Sequence, residues 1–123
     1  MAWIRAMSPR ATIVSAIKGI TTHFMFLSKR GKADKHALID SGTTENFMDH
    51  SMVWHLGIGT RKLPVPRRIF NMDGKENIVG RLTKFCTLRV HKGDQNHLQT
   101  FYITTLGTDC AILGYPWLRT FNP

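Results

Sequence analysis

The chain has 123 residues, 42% of them apolar and 20% charged, with 17 Lys and Arg against 8 Asp and Glu for a net charge of +9. That length supports one compact core and excludes a two-domain enzyme, and the apolar share excludes disordered, collagen-like and coiled-coil classes. No apolar run exceeds four residues, whereas a membrane helix needs about 20 and a secretory signal core about 7, so a soluble, intracellular, non-secreted protein without membrane attachment is expected.

The charge excess concentrates anions around the protein and points to nucleic acid or an acidic partner. It is unevenly spread. Arg5, Arg10, Lys18, Lys29, Arg30 and Lys32 precede the first acid, Asp34. Such a basic, acid-poor start has the composition of a transit peptide, but Pro9 and the scattered Ser and Thr break any amphipathic helix. Residues 1–20 therefore read as a flexible basic arm left from a longer precursor, and residues 21–123 as the folded domain. Cys86 and Cys110 form no C-x-x-C pair and are expected as reduced thiols in strands.

From Gly19 onward, short runs rich in Thr, Phe, Ile and Val alternate with Gly, Asp and Asn, the texture of an all-β barrel or sandwich. Thr22 to Ser28 is a predicted strand, Lys29 to Asp34 a basic turn and His36 to Ile39 the returning strand. Asn46 to Leu56 reads as a helix, with Phe47, Val53, Trp54 and Leu56 on one face and Gly57 as its stop. Pro64 and Pro66 exclude a central strand. Arg61 to Arg68 is accordingly an edge segment or loop with its four basic residues in solvent. Arg68 to Lys75 has the form of a strand entering a tight Asp73-Gly74 hairpin. Ile78 to Val90 and His97 to Thr104 are antiparallel partners across a turn at His91 to Asp94. Cys110 to Leu113 is continuously apolar and should be buried on both faces, and Pro116 then opens a short helix. Trp54 and Trp117 are expected as core anchors.

Asp40-Ser41-Gly42-Thr43 is the sharpest local signal. It follows the apolar strand Ala37-Leu38-Ile39, so its carboxylate is held at a rigid strand end. Taken alone, Asp-Ser-Gly is an ordinary Asx-turn. Its company lifts it. Ala37-Leu-Ile-Asp-Ser-Gly-Thr, the Asn71-Met-Asp-Gly hairpin and Ala111-Ile-Leu-Gly-Tyr-Pro-Trp-Leu together closely resemble the protease region of gypsy-type LTR-retrotransposon polyproteins, from about Thr21 to Pro123.

That resemblance implies a mostly β, retropepsin-like closed barrel with a flap hairpin and one or two short helices. It implies Asp40 as the catalytic carboxylate, Ser41 as the hydroxyl joining two active-site loops across a dimer, Gly42 as the tight turn, and Thr43 where many relatives carry a small residue. Asn71, Met72, Asp73, Gly74 and Lys75 would form the flap tip over substrate, with Ile112, Leu113 and Gly114 completing the substrate site from beneath the catalytic loop. Asp40 is expected on an exposed concave face, with Gly114 beside it and the Gly74 hairpin above. The implied substrate is a polypeptide, the protein's own Gag-Pol-like precursor, in the cytoplasm or in retroelement particles, without metal or cofactor.

Water-mediated peptide hydrolysis by carboxylates needs two of them sharing one proton. One chain supplies one such motif, so the active unit would be a symmetric homodimer. The chain stops at Pro123, where relatives continue into strands that knit the dimer, so a weak dimer is expected. Glu45 is expected to cap the following helix. His50 and His55 lie on different sides of that helix and His91 and His97 flank a turn, which is poor metal-ligand spacing. Lys29-Arg30-Lys32-Lys35 and Arg61-Lys62-Arg67-Arg68 read as solvated loops without interleaved aromatics, leaving non-specific nucleic-acid affinity open. Two alternatives stand beside the protease: a domesticated or inactive fold kept for dimerisation or peptide binding, and a basic nucleic-acid-binding module.

Overall fold

The computed structural model describes residues 11–13, 20–40, 42–70, 81–107 and 109–121, and within these the side chains of all but 11–13, 20, 70 and 121. In chain order the elements are β1 (Ala11–Ile13), β2 (Ile20–Ser28), β3 (Gly31–Ile39), β4 (Asn46–Asp49), α1 (His50–Leu56), β5 (Arg61–Phe70), β6 (Leu82–Lys92), β7 (Gln95–Thr104), β8 (Ala111–Leu113) and α2 (Tyr115–Phe121). Six strands close into a ring, β6–β2–β3–β8–β4–β7 and back to β6, and β5 and β1 extend the sheet outward from β6. This is the mostly β closed barrel with two short helices that the sequence predicts.

The β2–β3 hairpin pairs from Ile20↔Ile39 to Ser28↔Gly31. Its turn is shorter than the sequence predicts. Gly31 adopts φ +117°, a conformation open to glycine, and the chain reverses over Lys29 and Arg30 alone. Ala33, Asp34 and Lys35 consequently join the strand. The β6–β7 hairpin turns the same way at Gly93, φ +61°, and pairs from Lys92↔Gln95 to Phe85↔Tyr102.

Asn46 to Asp49 is a strand, not the first turn of a helix. Its four residues are all buried and pair with β7 in parallel and β8 antiparallel, so ladders on both edges outweigh a helical apolar spacing. The helix starts at His50, where the Asp49 carboxylate accepts the Ser51 N–H at 2.9 Å. It stops at Gly57 in the left-handed region (φ 60°, ψ 36°), as its sequence predicts. Burial opposes ionisation of Asp49, but the Leu106 N–H at 2.7 Å and the Ser51 hydroxyl and N–H hold its carboxyl below the usual carboxylate range. Trp54 is not a core anchor. It is 80% exposed, because Met52, Val53 and Leu56 take the inward face of this short helix and Trp54 lies about 200° round from Met52.

Arg61–Phe70 is a strand, but pairing with β6 is broken between Lys62 and Arg67. Pro64 and Pro66, which have no N–H to give a ladder, sit inside that break. At its far end β5 pairs in parallel with β1, Arg68–Phe70 against Ala11–Ile13, so part of the basic arm is engaged in the sheet.

Side chains alternate into two apolar clusters. The barrel interior holds Phe24, Phe26, Met48, Leu88, Val90, Phe101, Leu113 and Trp117, with the Trp117 indole edge-on to Phe24 at 5.1 Å. Leu38, Phe47, Ile69, Leu82, Tyr102 and Ile112 pack on the opposite face. Neighbours along one strand thus fall in different clusters: Leu113 and Ile112, Met48 and Phe47. The strands beneath the Asp40 turn are buried on both faces and give it a rigid floor. Cys110 lies just outside this run, half-buried, its thiol donating to the His36 carbonyl at 2.7 Å.

Candidate active site

Asp40 sits immediately after β3 and is tied to β8 through its backbone, with its N–H donating to the Leu113 carbonyl at 3.0 Å. That bond extends the parallel register Leu38↔Ile112, Ile39↔Leu113. The turn closes on itself. Asp40 Oδ1 accepts the Gly42 N–H at 2.9 Å, and the Asp40 carbonyl accepts the Thr43 N–H at 3.2 Å. Thr43 is fully buried, and its carbonyl accepts the Tyr115 N–H at 2.8 Å. The Asp40 turn is therefore clamped to the start of α2.

Asp40 itself is buried, 7% exposed, rather than open on a concave face. The turn is bonded through its backbone to β8 at Leu113 and to α2 at Tyr115. Its Oδ2 is buried and has no hydrogen-bond partner among the described residues. A buried carboxylate oxygen left unpaired costs about 1–3 kcal/mol or more. Ser41 lies outside the described residues, as do Asn71, Met72, Asp73, Gly74 and Lys75. Ile112, Leu113 and Gly114 are buried beneath the turn, where their contribution is to fix its position.

Gly114 is the tightest point of this floor. A Cβ there would stand 2.4 Å from the Glu45 carbonyl oxygen and 2.6 Å from that of Thr43. Its N–H donates to Asn46 Oδ1 at 2.9 Å. Asn46, fully buried, spends its Nδ2 hydrogens on Gln99 Oε1 at 2.8 Å and the Thr100 carbonyl at 3.2 Å, and Gln99 Nε2 passes the chain on to Thr120 Oγ1 at 2.9 Å. A polar thread thus joins Gly114, β4, β7 and α2 under the site. Asn46 and Gln99 are not identified by sequence reasoning. Asn46 and Gln99 are 53 residues apart, and no local pattern marks an Asn whose side chain joins β7 to Gly114. Asn46→Ala leaves the Gly114 N–H and Gln99 Oε1 unpaired, and we expect a loss of about 2 kcal/mol in denaturant unfolding, with Gln99→Leu costing less.

Glu45 does not cap α1, whose cap is Asp49. Its carboxylate accepts from Arg67 Nη1 at 3.3 Å, and Arg67 lies 4.7 Å above the Tyr102 ring. Arg67 is consequently no solvated loop residue. It ties β5 to the segment leaving the Asp40 turn. Burial pushes the Glu45 carboxyl up, with Arg67 and Arg119 pulling the other way. Burial also raises the Tyr102 hydroxyl, helped by the negative charge of Glu45.

Other candidates lie apart from this site. Burial pushes the Cys86 thiol up to about 12 and also raises Cys110, and both cysteines are free. Neither has the thiolate character of a nucleophile. Among the described residues no group of three or more His, Cys, Asp or Glu is placed to hold a metal ion, and no helix is long and apolar enough to cross a membrane.

The site thus holds an acid at a strand end, locked in an Asx-turn on a doubly buried floor, with one oxygen unpaired among the described residues. Comparison with known families gives the same region an identity: residues 36–123 match the PEG10/RTL1 protease domain, and the matched stretch contains both Asp40–Thr43 and Ala111–Leu118.

Proposed function

The chain belongs to the PEG10/RTL1 protease-domain family, retropepsin-like and derived from a gypsy retrotransposon, and on that footing we propose that it is an aspartic endopeptidase working as a homodimer. The observation that carries this reading is the orphaned Oδ2 of Asp40. A second carboxyl reaching it across a two-fold axis, once the atoms covering Oδ2 move aside on dimerisation, supplies the missing hydrogen bond, because two carboxylates about 3 Å apart hold one proton between them. The ionised member then takes a proton from water while the protonated one donates to the peptide carbonyl. The two apparent pKa values belong to the pair.

Roles divide by position. Asp40 supplies the reacting oxygens. Gly42 holds Oδ1 through its N–H, Thr43 and Gly114 fix the turn, and the polar thread through Asn46 stiffens the floor. The hairpin 71–75 is the proposed flap, binding an extended polypeptide through main-chain bonds. Precursor polypeptide is the proposed substrate, and no metal or cofactor enters the chemistry.

Burial of Asp40 within one chain favours a competing reading, a domesticated fold retained for dimerisation or peptide binding. Concentration separates the two. If the dimer is the enzyme, specific activity on an unstructured polypeptide rises in proportion to protein concentration while monomer predominates, and levels off where size exclusion shows the dimer filled. Dimers that form without cleavage at any concentration sink the enzymatic reading. Activity that is strictly first order in a monomeric chain sinks the shared dyad.

A further inference from the structure

The fold brings together two basic segments that are remote in sequence. Lys29 and Arg30 form the β2–β3 turn, and Arg61 opens β5. Between them lies Gly57 to Thr60, the chain leaving α1. Two hollows adjoin here and share Gly57 and Ile58. One is walled by Lys29, Arg61, Phe85 and Thr87, the other by Arg30, Val53, Trp54 and His55. Among the described residues no acid lines either hollow. The aromatic absent from both basic segments in sequence is supplied by α1: Trp54, 80% exposed, stands at the rim.

Each lining residue has chemistry left to give. The Arg30 side chain lies across Gly57 and donates from Nη1 to the His55 carbonyl at 3.5 Å, a long bond that leaves most of its five N–H donors available. His55 Nδ1 is bound to the Ser51 carbonyl at 2.7 Å, leaving Nε2 to a ligand. Among the described residues Lys29 and Arg61 are in no ion pair. An indole and Arg30 in one hollow, with Lys29 and Arg61 in the hollow that adjoins it, combine a stacking platform with backbone charge neutralisation.

We propose that this groove binds single-stranded RNA, stacking a base on Trp54 and taking phosphates on Lys29, Arg30 and Arg61. Unpaired RNA offers splayed bases to an aromatic side chain. A duplex keeps its bases stacked and cannot use the indole. A second copy seated here across a two-fold axis would set Lys29, Arg30 and Arg61 against their own counterparts, and an anionic membrane finds here one exposed ring on a seven-residue helix rather than an apolar face. The surface is independent of Asp40 and survives whether or not the dyad is active.

The test is fluorescence anisotropy of a labelled 12-mer of uridylate with the full chain. Binding is expected to weaken with salt at a log–log slope of about 2, the value for three phosphate contacts on a single strand. Trp54→Ala is expected to weaken it about 5- to 100-fold, the range for loss of one base stack, with the fold unchanged because the side chain is in solvent. Lys29→Glu with Arg61→Glu, which leaves Arg30 alone, should lower the slope to about 0.7 or less. Lys35→Glu with Arg81→Glu, which removes the same net charge from exposed positions outside the groove, should leave most of the affinity. Equal loss in the two charge-reversed pairs would reduce the effect to net charge and overturn the site. So would indifference to Trp54→Ala, tighter binding of the duplex, or binding of anionic lipid vesicles in preference to the 12-mer.

Discussion

Asp40→Asn is expected to reduce peptide cleavage by at least about 10³-fold while leaving the folded chain nearly as stable as before. Acid–base catalysis by one positioned group is worth about 10²- to 10⁴-fold, and in a symmetric dimer one substitution removes both members of the pair. Stability should move by less than about 1 kcal/mol. The asparagine carbonyl can still accept the Gly42 N–H that Asp40 Oδ1 accepts at 2.9 Å, and the amide nitrogen replaces an oxygen that already lacks a partner. Mixing makes the test sharper. Random exchange of equal amounts of wild-type and Asp40→Asn chains leaves about one quarter of dimers with two acids, so activity should fall to about a quarter of the wild-type value rather than to half. Retention of half the activity would mean that each chain works alone. Circular dichroism and denaturant unfolding on the same samples separate a chemical loss from a folding loss.

The parts of this site that are local in sequence are legible there. Ala37-Leu-Ile followed by Asp-Ser-Gly specifies a strand and an Asx-turn within seven residues, and the structure has both. Continuous apolar character at Ala111–Leu113 signals burial on two faces, and Gly57 signals a helix stop. What fails is long-range. Asn46–Asp49 carries a spacing that suits a helix, and only its two neighbouring strands, β7 and β8, make it extended. Trp54 looks like a core residue until the inward face of α1 is filled by Met52, Val53 and Leu56. Arg67 looks solvated until the sheet sets it against Glu45 and Tyr102. The turn is bonded to Leu113 and Tyr115, some seventy positions downstream, and no property of the tetrapeptide encodes those contacts.

Gly114→Ala is expected to destabilise the chain by about 3 kcal/mol and to abolish cleavage even where the fold survives. Overpacking a close-packed site costs about 1–3 kcal/mol, and this case belongs at the upper end because both obstacles are backbone carbonyls, at 2.4 and 2.6 Å from the added carbon, which no rotamer change can relieve. They belong to Glu45 and Thr43, on the segment leaving the Asp40 turn. Relief therefore means moving that turn away from β8, stretching the Gly114 N–H bond to Asn46 and the Asp40 N–H bond to Leu113. A displacement of about 1 Å in a positioned catalytic group costs on the order of 10²-fold in rate, and here two twinned turns would be displaced across the axis at once. The comparison that isolates the cause is Gly93→Ala. Gly93 is in the left-handed region with open space around it, so its substitution strains one hairpin turn far from Asp40 in sequence and should cost about 1 kcal/mol with cleavage retained. Should Gly114→Ala lower stability no more than Gly93→Ala and keep full activity, the floor beneath Asp40 is not what holds the acid in place.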